Sequence, residues 1–128
     1  MLRRFRIVSI TVVALLVASA SATWAHEKVK LTGYVVDVMC AASHLKDAPE
    51  EATKFAAGHT KECGLMEECI KSGYGIFSDG KWYPFDEKGN ALAKAIFEKT
   101  ARKDHIKVTV EGMEHGGKIL VQTITETN

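Results

Sequence analysis

Tyr74-Gly-Ile-Phe-Ser-Asp-Gly-Lys-Trp-Tyr-Pro-Phe85 consists of two aromatic-rich runs joined by Asp79-Gly80. Asp-Gly between such runs is the strongest short-range hairpin signal, because both central residues of the favoured turn need positive φ. The stretch predicts strands over Tyr74–Ser78 and Lys81–Phe85. Pro84 has no amide hydrogen, which puts the second run at an edge or a strand end.

Downstream, Asp86-Glu-Lys-Gly-Asn90 reads as a turn. Ala91–Arg102 repeats apolar residues at Leu92, Ala95, Ile96 and Ala101, the spacing of an amphipathic helix. Two alternating strands follow, joined by a turn at Glu114-His-Gly-Gly117. Ile106, Val108 and Val110 share one face of the first. Ile119 (or Leu120), Val121 and Ile124 fill the second, which shifts register once. Upstream, Val29–Val38 is rich in Val, Leu and Tyr around Gly33 and predicts another strand. Pro49, with Glu50 and Glu51 behind it, opens a helix that runs to about Ala57, where Gly58 interrupts it. A second helical stretch covers His59–Lys71 and stops at Ser72-Gly73. The chain has no internal repeat, low-complexity tract or linker.

The order is strand, helical insert, strand, strand, helix, strand, strand. Without the insert it is the order of an OB-fold: three strands, a helix, two strands. The expected class is mainly β with helices (α+β). The expected architecture is an OB-fold-like five-stranded small barrel over residues 28–38 and 74–126. A cysteine-bearing helical insert, about residues 40–72, separates strands 1 and 2, and a helix separates strands 3 and 4. A flat α+β sandwich is the alternative.

The beginning of the chain reads as an export signal. Arg3, Arg4 and Arg6 precede an apolar run from Ile7 to Ala18, too short to span a bilayer comfortably as a permanent helix. Small residues follow, and Thr23 and Ala25 suit cleavage after Ala25, with cleavage after Ala22 as the alternative. The expectation is a secretory signal peptide over residues 1–25 and a single OB-like domain over 26–128, periplasmic or extracellular. No stable membrane insertion is expected after cleavage; an uncleaved anchor is the bland reading. No cysteine lies near the cleavage region, which excludes lipid attachment there. The full chain carries 17 basic and 16 acidic residues. Three basic residues and no acidic ones fall in the signal, which leaves the domain at −2. Nucleic acid demands a basic stripe and is excluded as a partner.

Three cysteines in an oxidising compartment are an odd count, so one has no disulfide partner within the chain. Cys40, Cys63 and Cys69 all lie in the insert or at its entrance, with His44, His59, Met39 and Met66. On one helix from His59, Cys63 would lie at about +40°, Met66 at about −20° and Cys69 at about −80°, a single stripe. Cys63 and Cys69 would then be about 9 Å apart along the axis, beyond disulfide reach. Either the helix breaks at Gly64 or those two do not pair.

Three readings follow. Cys40, Cys63 and Cys69 with His44 form a closed Cys3His zinc set. Or a disulfide from Cys40 pins the insert, and the leftover cysteine joins His59 and Met66, a set that favours copper. Or the stripe is the apolar side of a helix, since free cysteine and methionine are common core residues. His26 would become the first residue after cleavage, where an amino group with the adjoining imidazole chelates Cu(II); the bland reading is a solvated terminal histidine. His105 and His115 read as solvated, and Asp37 as the cap of a turn. Trp82, Tyr83, Tyr74 and Phe77 suggest a stacking face on the barrel, although packing accounts for at least half of them.

Gly33-Tyr-Val-Val-Asp37 with Cys40, then His59 … Cys63 … Cys69-Ile-Lys-Ser-Gly73-Tyr, the aromatic hairpin and the closing Val-Thr-Val-x-Gly strand resemble small secreted bacterial domains of unknown function. The resemblance covers nearly all of the chain after the signal. It implies an OB-like fold, a bacterial periplasmic or extracellular setting, and a core of cysteines with a histidine.

There is no Ser-His-Asp order, phosphate loop or visible carboxylate pair, so no enzyme is expected. The expected function is that of an exported domain binding zinc or copper through Cys40, His44, His59, Cys63, Met66 and Cys69, or stapled there by a disulfide. An envelope interaction module, binding a peptide, glycan or protein on the barrel face, is the alternative. A thiol-redox protein is third, weakened by the lack of Cys-x-x-Cys.

Overall fold

The computed structural model describes residues 26–127. The expected signal peptide falls outside them. Among the described residues, no helix is long and apolar enough to cross a membrane. The elements run in the order β1 (Glu27–Asp37), α1 (Val38–His44), α2 (Pro49–Gly58), α3 (Lys61–Gly64), α4 (Glu67–Ser72), β2 (Tyr74–Ser78), β3 (Lys81–Pro84), α5 (Glu87–Lys99), β4 (Lys107–His115) and β5 (Lys118–Glu126).

The hairpin forms where the sequence puts it. Asp79 and Gly80 have φ of 49° and 76°, and Phe77 pairs with Trp82. All strand pairs are antiparallel, in the order β3-β2-β1-β4-β5. The sheet is not a closed barrel. Its two edges meet through one parallel bridge, Phe85 to Ile119. β3 is only four residues long and ends on Pro84, which cannot donate to a longer ladder. The expected register shift in β5 is present: Glu111 pairs with Thr123 and Gly112 with Val121, so Gln122 has no partner.

β1 is the central strand. Its first part pairs with β4 and its last part with β2, and Tyr34 pairs with both. Gly33 sits at this handover, where a Cβ would stand 2.1 Å from the Phe77 carbonyl oxygen. That oxygen belongs to ladder backbone and cannot swing aside. Gly33→Ala is expected to cost about 1–3 kcal/mol, the range for overpacking. A urea midpoint unchanged from wild type would refute the close approach.

Val35 and Val36 point to opposite faces, as successive strand residues must. Val35 joins the main core with Tyr74, Ile76, Phe97, Ile106 and Val110. Val36 joins a second cluster with Ala41, Ala52, Ala56 and Phe77, which seats α1 and α2 on the other face. The small alanines let these helices come close to the strand. The end of β1 is thus covered on both sides, and Val35, Val36 and Asp37 are all buried.

Two expectations about the helices are corrected, and a further helix is added. Residues 86–90 are not a separate turn. Asp86 accepts from Gly89 N at 2.9 Å and caps α5, which starts at Glu87. Gly89 is tolerated in that helix because a Cβ there would stand 2.5 Å from Val121 Cγ2. The stretch His59–Lys71 is not one helix but two, α3 and α4, parted at Leu65–Met66. α1, which the sequence reading left unassigned, starts directly after β1 with Asp37 as its cap. Of the hairpin aromatics, Tyr74 and Phe77 are buried, so packing accounts for half of them, and Trp82 and Tyr83 are half-buried against the two clusters.

Candidate metal centre

Asp37 is the last residue of β1 and the N-cap of α1. Its Oδ1 accepts from Cys40 N at 2.8 Å, so the capping bond itself positions Cys40. Its Oδ2 lies 2.7 Å from His59 Nε2. Both side chains are essentially fully buried, at 0% and 1% exposure.

His59 lies between α2 and α3 in extended backbone. Thr60 caps α3 by accepting from Cys63 N at 3.0 Å, which places Cys63 one turn beyond His59. Two backbone bonds strap this segment to the loop before β4, from Lys61 N to Lys103 O and from His105 N to Ala57 O, both at 2.8 Å. Phe97 and Phe55 wall the His59 ring at centroid distances of 5.9 and 6.3 Å. Tyr74 donates its hydroxyl to the Gly64 carbonyl at 2.6 Å and holds the C-terminal end of α3.

Asp37 occupies Nε2, which leaves Nδ1 as the other ring nitrogen. Nδ1 has no hydrogen-bond partner, alone among the buried side-chain nitrogens and oxygens of the described residues. A buried polar atom without a partner is costly unless something binds it. A ring nitrogen of His59 and the sulfurs of Cys40 and Cys63 all lie within 4.8 Å of one another. A carboxylate oxygen of Asp37 and the sulfurs of Cys40 and Cys69 form a second such group, sharing Cys40. These residues could hold a metal ion. No known family model matches the chain, and neither does any curated protein or solved structure.

Burial drives the Asp37 carboxyl toward the neutral form, but its bonds to His59 and Cys40 outweigh this and hold it below the ordinary 3.8. Burial pushes the Cys40 thiol up to about 12, with the neighbouring Asp37 carboxylate adding to the effect. Burial and Asp37 raise the Cys69 thiol as well. Without a cation, thiolate charge is disfavoured at Cys40 and Cys69. A bound cation reverses that balance by taking the place of thiol protons.

Of the six residues predicted from sequence, Cys40, His59, Cys63 and Cys69 come together. His44 is exposed on α1 and stacks on Phe55 at 4.2 Å; Met66 caps α4 and is 51% exposed. His44 lies outside the two ligand groups. The three cysteines are free thiols, so the insert is held by packing rather than by a staple. His26 stacks on His115 at 4.7 Å, and His105 pairs with Asp104 at 2.8 Å, both away from the cluster. Sequence reasoning took Asp37 for a cap, which it is, and missed its bond to a histidine 22 positions on. Local spacing carries no signal for that contact.

Proposed function

We propose that this chain is an exported, non-enzymatic domain that binds a soft or borderline metal ion. Its ligands are Cys40 and Cys63 through sulfur and His59 through Nδ1. The ion is zinc in the first instance and copper(I) in the second, since thiolate and imidazole suit both. The observation that carries this reading is the unpartnered Nδ1, in a histidine that a buried carboxylate orients from behind. Histidines that ligate metals almost always give their other ring N–H to such a partner, which fixes the tautomer. A tetrahedral zinc site needs sulfur–sulfur separations of about 3.8 Å, compatible with ligand atoms that all lie within 4.8 Å of one another. Cys69 groups with Cys40 and Asp37 rather than with the His59–Cys63 pair, so three protein ligands leave a fourth position for water or an incoming ligand.

The basic, apolar, small-residue start of the chain supports export. The strand order, with its one parallel bridge between β3 and β5, supports an OB-like topology. So does the resemblance to secreted bacterial domains.

The test is an anaerobic titration of the reduced protein with zinc or cobalt(II), followed by metal analysis and by the charge-transfer absorption of a cobalt–thiolate centre. One equivalent is expected, with binding lost in His59→Ala and Cys63→Ser. Binding should release protons, because Cys40 must give up a proton it holds to about 12. Apparent affinity should therefore rise with pH, by about tenfold per unit for each thiol proton displaced. A fully reduced protein that takes up neither zinc nor copper(I) would overturn the reading, and so would an affinity indifferent to pH.

A further inference from the structure

We propose that Cys40 and Cys69 form a reversible dithiol–disulfide couple, a covalent modification site that shares Cys40 with the metal centre and dismantles that centre when it closes. Its regulatory consequence rests on Cys40 being a metal ligand; the couple itself does not.

The two sulfurs lie within 4.8 Å of one another. The backbone around them is already clamped. Val38 N donates to Gly73 O at 2.9 Å, which joins the start of α1 to the residue after α4. Ser72 Oγ donates to Cys69 O at 2.8 Å and accepts from Met39 N at 3.4 Å, so one hydroxyl links the neighbours of both cysteines. Closure to a sulfur–sulfur bond of about 2 Å then starts from two helices whose ends are already tied together. Cys63 also lies within 4.8 Å of Cys40, in the group with His59; the bonds that tie α1 to α4 are what favour Cys69 as the partner. The odd cysteine count resolves into one couple and one single ligand.

Exposure sets the order of events. Cys69 is 4% exposed and Cys40 is only partly buried, so an oxidant meets Cys40 first. The oxidant we name is a small-molecule disulfide, RSSR. The Cys40 sulfur attacks one of its sulfurs, a bond forms between them, the R-side S–S bond breaks, and RS⁻ leaves to take up the proton Cys40 gave. Cys69 then attacks the Cys40 sulfur, and the second RSH departs with the Cys69 proton. Two protein thiols are oxidised and one RSSR is reduced to two RSH. Only His59 and Cys63 remain for the ion. A bound ion ties up Cys40 and opposes the exchange.

The experiment treats reduced, metal-free protein with oxidised glutathione, alkylates the remaining thiols and maps the peptides by mass. A Cys40–Cys69 link with Cys63 alkylated is expected. In Cys69→Ser the reaction should stop at a glutathione adduct on Cys40. Zinc added before the oxidant should slow closure, and the closed protein should bind zinc about 100-fold more weakly or worse. A Cys40–Cys63 link would overturn the proposal, and so would three alkylated cysteines or a persistent adduct in wild type. The wild-type map needs no variant to fold. Zinc content, measured separately, distinguishes the two readings. A couple that closes in a protein that never binds metal refutes the centre alone, and a centre that loads but never forms the link refutes the couple alone.

Discussion

Phe97→Ala is expected to destabilise the protein by about 4 kcal/mol, the upper part of the range for deleting a buried aromatic ring. Phe97 is completely buried near the C-terminal end of α5, and its ring lies 5.3 Å from that of Tyr74 and 5.9 Å from that of His59. It also fills the space against Gly64, where a Cβ would stand 2.6 Å from the ring. The transfer term alone is about 2–3 kcal/mol. The rest comes from a cavity that cannot collapse, because the sheet fixes one wall and the Lys61–Lys103 strap fixes the other. The measurement is a urea midpoint with unchanged slope. A loss below about 1.5 kcal/mol would mean that the insert relaxes into the space and is not seated on this ring.

Asp37→Asn should leave the fold largely intact and weaken zinc binding by about 10- to 100-fold, the usual effect of removing a partner behind a ligating histidine. An amide cannot satisfy both neighbours as the carboxylate does. If its oxygen keeps the Cys40 N–H, its NH2 faces His59 Nε2. Nε2 must then accept, and the proton moves to Nδ1, the atom needed for metal. If it flips, two donors meet at Cys40. The substitution should also remove an acid sensitivity. The folded carboxyl ionises below its ordinary 3.8, so the unfolded chain binds more protons in that interval. The stabilisation is complete above about pH 3.8 and drains away as pH falls through the lower folded value. Denaturation of metal-free protein as a function of pH should show this decline in wild type and not in the variant. Wild-type zinc affinity in the Asp37→Asn protein would show that the carboxylate does not set the tautomer.

Much of the sheet was legible because its signals are local. Asp79-Gly80 states its own φ requirement, and Val108 and Val110 alternate into the core as their spacing demands. α5 was found but begun late: Asp86-Glu-Lys-Gly looks like a turn until the packing of Gly89 on Val121 shows why a helix keeps a glycine there. α1 was missed because seven residues leave too little periodicity to read. The metal cluster was legible as a neighbourhood but not as a ligand set. His44 shares the insert with the three cysteines, yet its ring stacks on Phe55. The unbroken helix that carried Met66 into line with Cys63 ends at Leu65, and the break leaves Met66 outward. Asp37–His59 is a tertiary contact between a strand end and a loop, and no periodicity in the chain encodes it.

Asp37 and Tyr74, which bracket the insert, face each other as paired residues of β1 and β2. The whole excursion therefore begins and ends at one rung of the ladder, and the strands would pair in the same register whatever its length. The dependence does not run the other way. The carboxylate belongs to the sheet, the ring under His59 belongs to α5, and the strap partners precede β4. Grafting residues 38–73 onto another antiparallel rung would transplant the thiols without their electrostatics. A short turn put in their place would strip the Asp37 carboxylate of both its partners, Cys40 N and His59 Nε2.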